Sequence, residues 1–128
     1  MDFASWYAVV MSSTKKCLWE ILIPTMRNDG RPIRTRFHKV WDEKVRDISG
    51  GLTIMPVAKG QWLFKDELFQ ERMIPVRMIA TRTEMDKIID MTLKYYEQLA
   101  VLAYKVSEEV ILRHADEKHK AEDIPMWI

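Results

Sequence analysis

Cysteine is nearly absent from this sequence, glycine is scarce, and no long apolar run occurs. The single cysteine, Cys17, excludes an internal disulfide and a metal site built from several thiolates, so we expect a reducing compartment, the cytoplasm. A membrane-spanning helix needs about 20 consecutive apolar residues, and no run reaches that length. Residues 1–14 have the acidic Asp2 directly after Met1, where a signal peptide would have a basic segment.

An excess of charge of either sign is also missing. The 20 basic and 19 acidic residues are well mixed along the chain and leave a formal net charge of +1. This pattern excludes the broad basic field of a non-specific nucleic-acid binder. The sequence has no phosphate-binding loop, no dinucleotide fingerprint and no recognisable catalytic triad. We therefore expect a small or partly charged ligand, with no nucleic acid and no membrane as partner.

The length of 128 residues, with 48% hydrophobic residues, is sufficient for one globular domain. We place this domain at residues 17–112, between an N-terminal extension, residues 1–16, and a charged C-terminal tail, residues 113–128. Met11 precedes a polar stretch and is an alternative start, which would make residues 1–10 an addition to the natural chain.

The first half of the domain has the pattern of a strand followed by a helix. Residues 17–25 form a dense apolar run that a turn at Asn28-Asp29-Gly30 follows, which predicts a strand. From Thr35 onward, apolar residues recur at helical spacing, and Gly50-Gly51 is typical of a helix C-cap. The recurring residues are Phe37, Val40, Trp41, Val45 and Ile48.

Two strands and a second helix are predicted next. Residues 52–63 are rich in β-forming residues, a connection lies around residues 65–67, and residues 73–81 predict the returning strand of a hairpin. Pro75 is awkward there, because proline removes a hydrogen-bond donor and favours an edge or a bulge. Thr83 and Asp86 suggest a capping box for the second helix. Its predicted buried face consists of Met85, Ile88, Ile89, Thr92, Tyr96 and Leu99.

The second helix is expected to run straight into a last strand that begins near Ala100 and continues to Val106, with a short β-rich piece at residues 110–112. This βαββαβ order predicts an α+β fold, the ferredoxin-like sandwich, with an antiparallel sheet and both helices on one face. The uncovered face is expected to carry Trp62, Met78 or Tyr104. Together with Trp127 in the tail it should be buried between protomers of an oligomer.

Few residues suggest chemistry. Glu97 and Gln98 lie at the predicted helix-to-strand junction, where polar groups can meet a ligand without disturbing the core. His38 follows Arg34 and Arg36, which indicates either a solvated helix face or an anion pocket. Glu71 is either a surface carboxylate of the hairpin or a site residue, and Trp62 is either a core or interface residue or a ligand-stacking one. His114 and His119 do not share a helical face, so no metal site is expected.

The order and spacing of several short motifs resemble the small S-adenosylmethionine lyases of bacteriophages across most of residues 17–106. The motifs are Ile21-Leu22-Ile23-Pro24-Thr25-Met26-Arg27-Asn28, His38 with Arg46, Gly50-Gly51-Leu52, Gly60-Gln61-Trp62, Glu71, and Glu97-Gln98-x-x-Val101-Leu102-x-Tyr104-Lys105. The same elements also resemble a family of small bacterial proteins with no assigned function.

The resemblance to the lyases implies a ferredoxin-like protomer in a homotrimer, with sites between protomers, in the cytoplasm of a bacterial host. It implies cleavage of S-adenosylmethionine (SAM) to 5′-methylthioadenosine and L-homoserine lactone, with no cofactor and no metal. Glu71 would be the catalytic carboxylate. The phage enzymes have a tyrosine at the position of Trp62, so the role of that hydroxyl would be lost here or taken by another tyrosine. The implied substrate-binding residues are Trp62, Gln98, Tyr95, Tyr96, Thr25, Met26 and Arg27, with Tyr104 as a further candidate for the hydroxyl.

The lyase reaction asks little of the protein, because the sulfonium is a good leaving group and the carboxylate of the substrate displaces it. Near-attack alignment alone supplies up to roughly 7–11 kcal/mol. Two rivals stay open. One is a non-enzymatic oligomeric protein that sequesters or senses a nucleotide-like small molecule, and the other is a structural oligomer without a ligand site.

Overall fold

The computed structural model describes residues 14–115, together with residues 2, 4 and 5. From residue 17 onward, this part of the chain forms five strands and two helices. In chain order they are β1 (Cys17–Pro24), α1 (Thr35–Ser49), β2 (Thr53–Ile54), β3 (Ala58–Phe64), β4 (Glu67–Ala80), α2 (Arg82–Tyr95) and β5 (Ala103–Ser107). Residues 110–112, predicted as a β-rich piece, form no strand.

The sheet is antiparallel, with the strand order β2-β4-β1-β5, and β3 pairs with the outer part of β4. This arrangement confirms the predicted α+β, ferredoxin-like fold. One predicted strand is divided into β2 and β3 by the segment around Pro56. Pro75 lies opposite this interruption, and its carbonyl accepts the Met55 N–H at 2.9 Å. In a β-strand, the N–H and C=O groups of one residue point to the same side. The N–H that Pro75 lacks would therefore point from β4 toward the interruption between β2 and β3.

Both helices cover one face of the sheet, and the core lies between the helices and that face. Alternate residues of β1 and β4 enter this core together with one stripe of each helix. Met78 is among them and only 2% exposed, so its predicted position on the uncovered face is wrong. The buried polar groups are paired: Trp41 Nε1 donates to Thr92 Oγ1 at 2.9 Å, and Thr92 donates to the Ile88 carbonyl at 2.6 Å.

The uncovered face carries a polar bridge across three neighbouring strands, β4, β1 and β5. Glu20 of β1 is only 6% exposed and accepts a hydrogen bond from Arg77 Nε of β4 at 2.9 Å. The Tyr104 hydroxyl of β5 donates to the other carboxylate oxygen. Tyr104 therefore lies on the uncovered face, as predicted, but its hydroxyl is held by Glu20. Trp127 lies outside the described residues.

Capping interactions define where α1 ends and where α2 begins. Gly50 follows α1 with a φ of 94°, and its N–H donates to the Arg46 carbonyl, as expected for a glycine C-cap. The capping box of α2 is formed by Thr81 and Glu84, so the prediction of Thr83 with Asp86 is wrong. Leu99 lies beyond the helix and is fully exposed, so its predicted place on the buried face is also wrong.

Candidate functional site

A cleft of about 580 Å³ opens at the end of the sheet. Three segments that are distant in sequence form it: the turn after β1, the paired strands β3 and β4, and the segment after α2. Its walls consist of Pro24, Thr25, Met26, Arg27, Asn28, Gly30, Lys59, Gln70, Glu71, Arg72 and Gln98. We call it the Glu71 cleft.

Hydrogen bonds between the three segments hold the Glu71 cleft in shape. Thr25 Oγ1 donates to the Arg72 carbonyl at 2.9 Å and ties the end of β1 to β4. Asn28 Nδ2 donates to the Glu97 carbonyl at 2.9 Å and ties the turn after β1 to the end of α2. The cleft is therefore largely pre-formed, which reduces the entropy lost on ligand binding.

The end of α2 presents Gln98 to the cleft. Tyr96 caps the helix, the Glu97 N–H donates to the Lys94 carbonyl at 3.3 Å, and the Gln98 N–H donates to the Leu93 carbonyl at 3.0 Å. These are the two bonds of a Schellman motif. Glu97 takes the left-handed conformation that glycine usually supplies there, with a φ of 52°. The predicted direct run from helix into strand is wrong, because this motif and a short loop separate α2 from β5.

The charges in the Glu71 cleft are mixed. Three of its lining residues are basic, Arg27, Lys59 and Arg72, and one is acidic, Glu71. Three side-chain amides add neutral donors and acceptors: Asn28, Gln70 and Gln98. Glu71 is exposed, and within the described part of the chain it forms no ion pair. Such a set suits a zwitterionic ligand with both a carboxylate and a cationic group.

Five of the eight predicted site residues line this cleft. They are Glu71, Gln98, Thr25, Met26 and Arg27. The structure brings these residues together from three separate segments. The prediction missed Asn28, Lys59, Gln70 and Arg72 as wall residues. Lys59 and Arg72 lie opposite each other on the two strands of the hairpin. The register of these strands, which brings both residues to the cleft, could not be predicted from the sequence alone.

Trp62 does not line the cleft but lies beside it. Its indole folds back over Gly60, where a Cβ atom would come within 2.8 Å of the ring. Gly60 pairs with Glu71 across the hairpin, so Trp62 covers the strand position directly opposite Glu71. Glycine is needed at residue 60 for this close approach.

Tyr96 is buried in the core and is not available to a ligand. Its hydroxyl lies 2.7 Å from His38 Nδ1. Burial raises the pKa of the Tyr96 hydroxyl well above its ordinary value, and burial also lowers the pKa of His38, against the opposing effect of Asp42. At neutral pH a protonated Tyr96 hydroxyl and a neutral His38 therefore share this hydrogen bond. This bond connects α1 to the C-cap of α2, two residues before Gln98.

A second pocket, of about 630 Å³, lies at the start of α1. We call it the arginine pocket, because four of its lining residues are arginines and none is acidic. Its walls are Arg27, Arg31, Pro32, Arg34, Arg36, Phe37, Val40 and Tyr95. The sequence had suggested an anion pocket from Arg34, Arg36 and His38. Arg34 and Arg36 line the pocket, whereas His38 points to Tyr96 instead.

Tyr95 belongs to the arginine pocket and not to the Glu71 cleft. Its hydroxyl donates to the Phe37 carbonyl at 2.8 Å, and burial raises its pKa against the lowering effect of Arg27. The Tyr95 hydroxyl therefore stays protonated, and its proton is used in the hydrogen bond to Phe37. Of the residues considered for the lost tyrosine hydroxyl, none lines the Glu71 cleft.

No group of three or more metal-ligating side chains occurs in the part of the chain that the structure describes. His114 is exposed, and His119 lies outside the described residues. No helix among the described residues is both long and apolar enough to cross a membrane.

Solved structures share the fold of this chain, although no protein-family model and no curated protein sequence matches it. A CutA protein from Xylella fastidiosa is 11% identical, with a TM-score of 0.59 over 77% of this chain and 88% of that one. The divalent cation tolerance protein CutA1 from Thermus thermophilus is 7% identical, with a TM-score of 0.55 over 80% and 89% of the two chains.

A phage SAM lyase in complex with S-methyl-5′-thioadenosine is also similar in structure. It is 9% identical to this chain, with a TM-score of 0.56 over 74% of this chain and 83% of that one. At these identities the likeness establishes the shared fold only, and the same fold serves unrelated functions.

Proposed function

We propose that the protein is a SAM lyase that acts in the cytoplasm and cleaves its substrate in the Glu71 cleft, to 5′-methylthioadenosine and L-homoserine lactone. The observation that carries the proposal is the lining of this cleft: one acidic residue without an ion pair, three basic residues and three amide residues, on the fold of a phage SAM lyase. SAM presents a carboxylate, an ammonium group, a sulfonium, ribose hydroxyls and an adenine, and this set has a partner for each polar group.

The reaction is an internal displacement. A carboxylate oxygen of the substrate forms a bond to the γ-carbon, and the bond from that carbon to sulfur breaks. The bonding electron pair goes to sulfur, which becomes a neutral thioether, and no proton is transferred. No protein nucleophile, general base or metal enters the balance, so the chain has to fold the methionine part back and hold it.

Charge decides which group Glu71 holds. The attacking carboxylate and the sulfonium neutralise each other in the transition state, so a protein carboxylate beside the sulfonium would stabilise the substrate more than the transition state. Glu71 is therefore assigned to the ammonium group or to the ribose hydroxyls. A guanidinium of Arg27 or Arg72 on one carboxylate oxygen leaves the other oxygen free to attack. Trp62, beside Glu71, is assigned to the adenine, on which its indole can stack.

We propose that the cleft is completed by a second protomer in a homotrimer. The hairpin of β3 and β4 projects from the sheet with apolar side chains on both faces. Leu63 is 74% exposed, Phe64 62% and Leu68 53%. Contiguous apolar surface of this kind marks a protein interface. Because the same hairpin carries Lys59, Gln70 and Glu71, a protomer that packs against it would also cover the cleft.

The second candidate is a non-enzymatic protein that binds a nucleotide-like molecule in the same cleft. The observation that favours it is the exposure of Glu71 without an orienting ion pair among the described residues. The chain shares its fold with CutA1 divalent cation tolerance proteins to a similar extent, so the fold alone does not favour the lyase.

The deciding experiment is incubation of the purified protein with an excess of SAM, followed by chromatography of the nucleosides. A lyase releases many equivalents of 5′-methylthioadenosine per chain. A binder releases none, and SAM then raises its melting temperature in the way that RT ln(1 + [L]/Kd) describes. If SAM causes no product release and no stabilisation, both proposals are refuted.

A further inference from the structure

The arginine pocket is a second site that the lyase reaction does not use. It shares only Arg27 with the Glu71 cleft. Its other guanidinium groups belong to Arg31, Arg34 and Arg36. The whole chain has a formal net charge of +1, so four positive charges around one pocket are a strong local concentration.

We infer that the arginine pocket binds an organic polyphosphate, of the class of the nucleoside diphosphates. The nearest described carboxylate that pairs with these arginines is Asp29, which takes up one charge by its 2.7 Å bond to Arg31 Nε. Arg34 and Arg36 form no ion pair with any described residue. The pocket therefore keeps about three positive charges, which matches the charge of a diphosphate ester. The planar donor pairs of guanidinium groups match phosphate oxygens.

Two of the guanidinium groups are already held in place. The Arg27 guanidinium lies over the Phe37 ring, 4.6 Å from its centroid. Asp29 fixes Arg31 through its side chain and also accepts the Arg31 backbone N–H at 3.0 Å. A flexible arginine loses conformational freedom when it binds an anion, and these contacts remove part of that cost before the ligand arrives.

The pocket also has an aromatic wall, which argues for an organic ligand instead of free phosphate. The rings of Phe37 and Tyr95 pack with their centroids 4.1 Å apart, and Val40 beside them is 43% exposed. A cavity of about 630 Å³ is much larger than a phosphate ion needs and lies within the usual size of a small-molecule site. The wall would contact the organic part of the ligand while the arginines hold its phosphates.

The start of α1 adds to the positive field. No acidic residue lies in the first turn, and no side chain caps the helix at Arg34. In contrast, the start of α2 is closed by the capping box of Thr81 and Glu84. The open first turn of α1 therefore adds backbone N–H groups to a wall that its arginines already make basic.

The test is calorimetric titration of the full-length protein with ADP, pyrophosphate and adenosine. We expect ADP to bind most tightly, pyrophosphate more weakly and adenosine not measurably, and we expect ADP affinity to fall as salt rises. The variant Arg34→Gln/Arg36→Gln should bind ADP at least about tenfold more weakly. The control, Lys39→Gln/Arg46→Gln, removes the same charge from the same helix outside the pocket and should bind ADP as the wild type does.

Three results would overturn the inference: no binding of ADP, equal affinity for adenosine and ADP, or the same loss in both double variants. Binding of a short single-stranded RNA without binding of ADP would also overturn it, because that result indicates a polymer-binding surface. The inference does not depend on the lyase proposal. Arg34 and Arg36 do not line the Glu71 cleft, so cleavage of SAM by the double variant is measured separately from ADP binding.

Discussion

The Glu71 cleft and the arginine pocket are neighbours that share Arg27 but differ in charge and in origin. The cleft mixes a carboxylate with basic groups and amides, whereas the pocket has four guanidinium groups and no lining acid. The cleft is assembled from three distant segments, while seven of the eight pocket residues lie within residues 27–40. The difference indicates that the two sites select different ligands, a zwitterion in the cleft and a polyanion in the pocket.

Substitution of Glu71 should separate the two sites most strongly. Glu71→Gln keeps the shape but removes the only carboxylate of the cleft, so we expect turnover of SAM to fall by about 100-fold or more. The melting temperature should hardly change, because an exposed carboxylate contributes little to stability. Product release and thermal unfolding are the measurements.

The matched control is Glu67→Gln, which removes an exposed carboxylate from the same face of β4 at the hairpin end. It should leave turnover unchanged. Wild-type activity in Glu71→Gln would refute the role of Glu71, and loss of the folded state in that variant would assign this glutamate to structure.

The hairpin should matter for the cleft but not for the pocket. Leu63 and Leu68 face each other across the strands, and Leu63→Lys/Leu68→Glu replaces an exposed apolar pair with an opposite-charge pair that keeps the hairpin. We expect the oligomer to dissociate in sedimentation and SAM turnover to fall by about tenfold or more. ADP binding should persist. A wild-type protein that sediments as a monomer at micromolar concentration would refute both the trimer and a site between protomers.

Arg27 should affect both sites, because it lines both. Arg27→Gln removes one cation–π contact with Phe37, worth about 0.5–1 kcal/mol, so the fold should persist. We expect kcat/KM for SAM and the affinity for ADP each to fall by about tenfold. If only one of the two falls, the sites do not share this residue in solution.

The two sites also differ in how far they could be predicted from the sequence. Arg34 and Arg36 signalled an anion pocket because local spacing alone places them at the start of one helix. Lys59 and Arg72 gave no such signal, because only the register of the hairpin brings them to the cleft. Gln98 was predicted from its position at a helix end, although the Schellman motif that orients it was not.

The fold was predictable where local signals were strong. The strand at residues 17–24 and the helix ended by Gly50 agree with the prediction to within one residue. Met78 was placed on the wrong face because a one-residue change in register reverses every side chain of a strand. The capping box was misplaced because Thr81 and Thr83 both precede an acidic residue three positions later, and only the backbone of Thr81 has the extended conformation of a cap.

The smallest expected effect concerns the contact behind Gln98. Because burial lowers the pKa of His38 in the folded state, the unfolded state binds more protons near the ordinary value of 6.5. The stability supplied by neutral His38 is therefore present above that pH and is lost as the pH falls below it. His38→Gln should flatten this part of the stability profile, measured by thermal unfolding at a series of pH values. An unchanged profile would show that the pKa of His38 is the same in both states.

The central claim is that the Glu71 cleft promotes displacement within SAM, and mass spectrometry of the products formed in isotopically heavy water tests it most directly. We expect repeated turnover, with unlabelled homoserine lactone as the first product beside 5′-methylthioadenosine, and heavy oxygen only in the carboxyl group once the lactone opens. Homoserine with heavy oxygen in its hydroxyl group from the earliest time points would mean attack by water at the γ-carbon. That result would contradict the account.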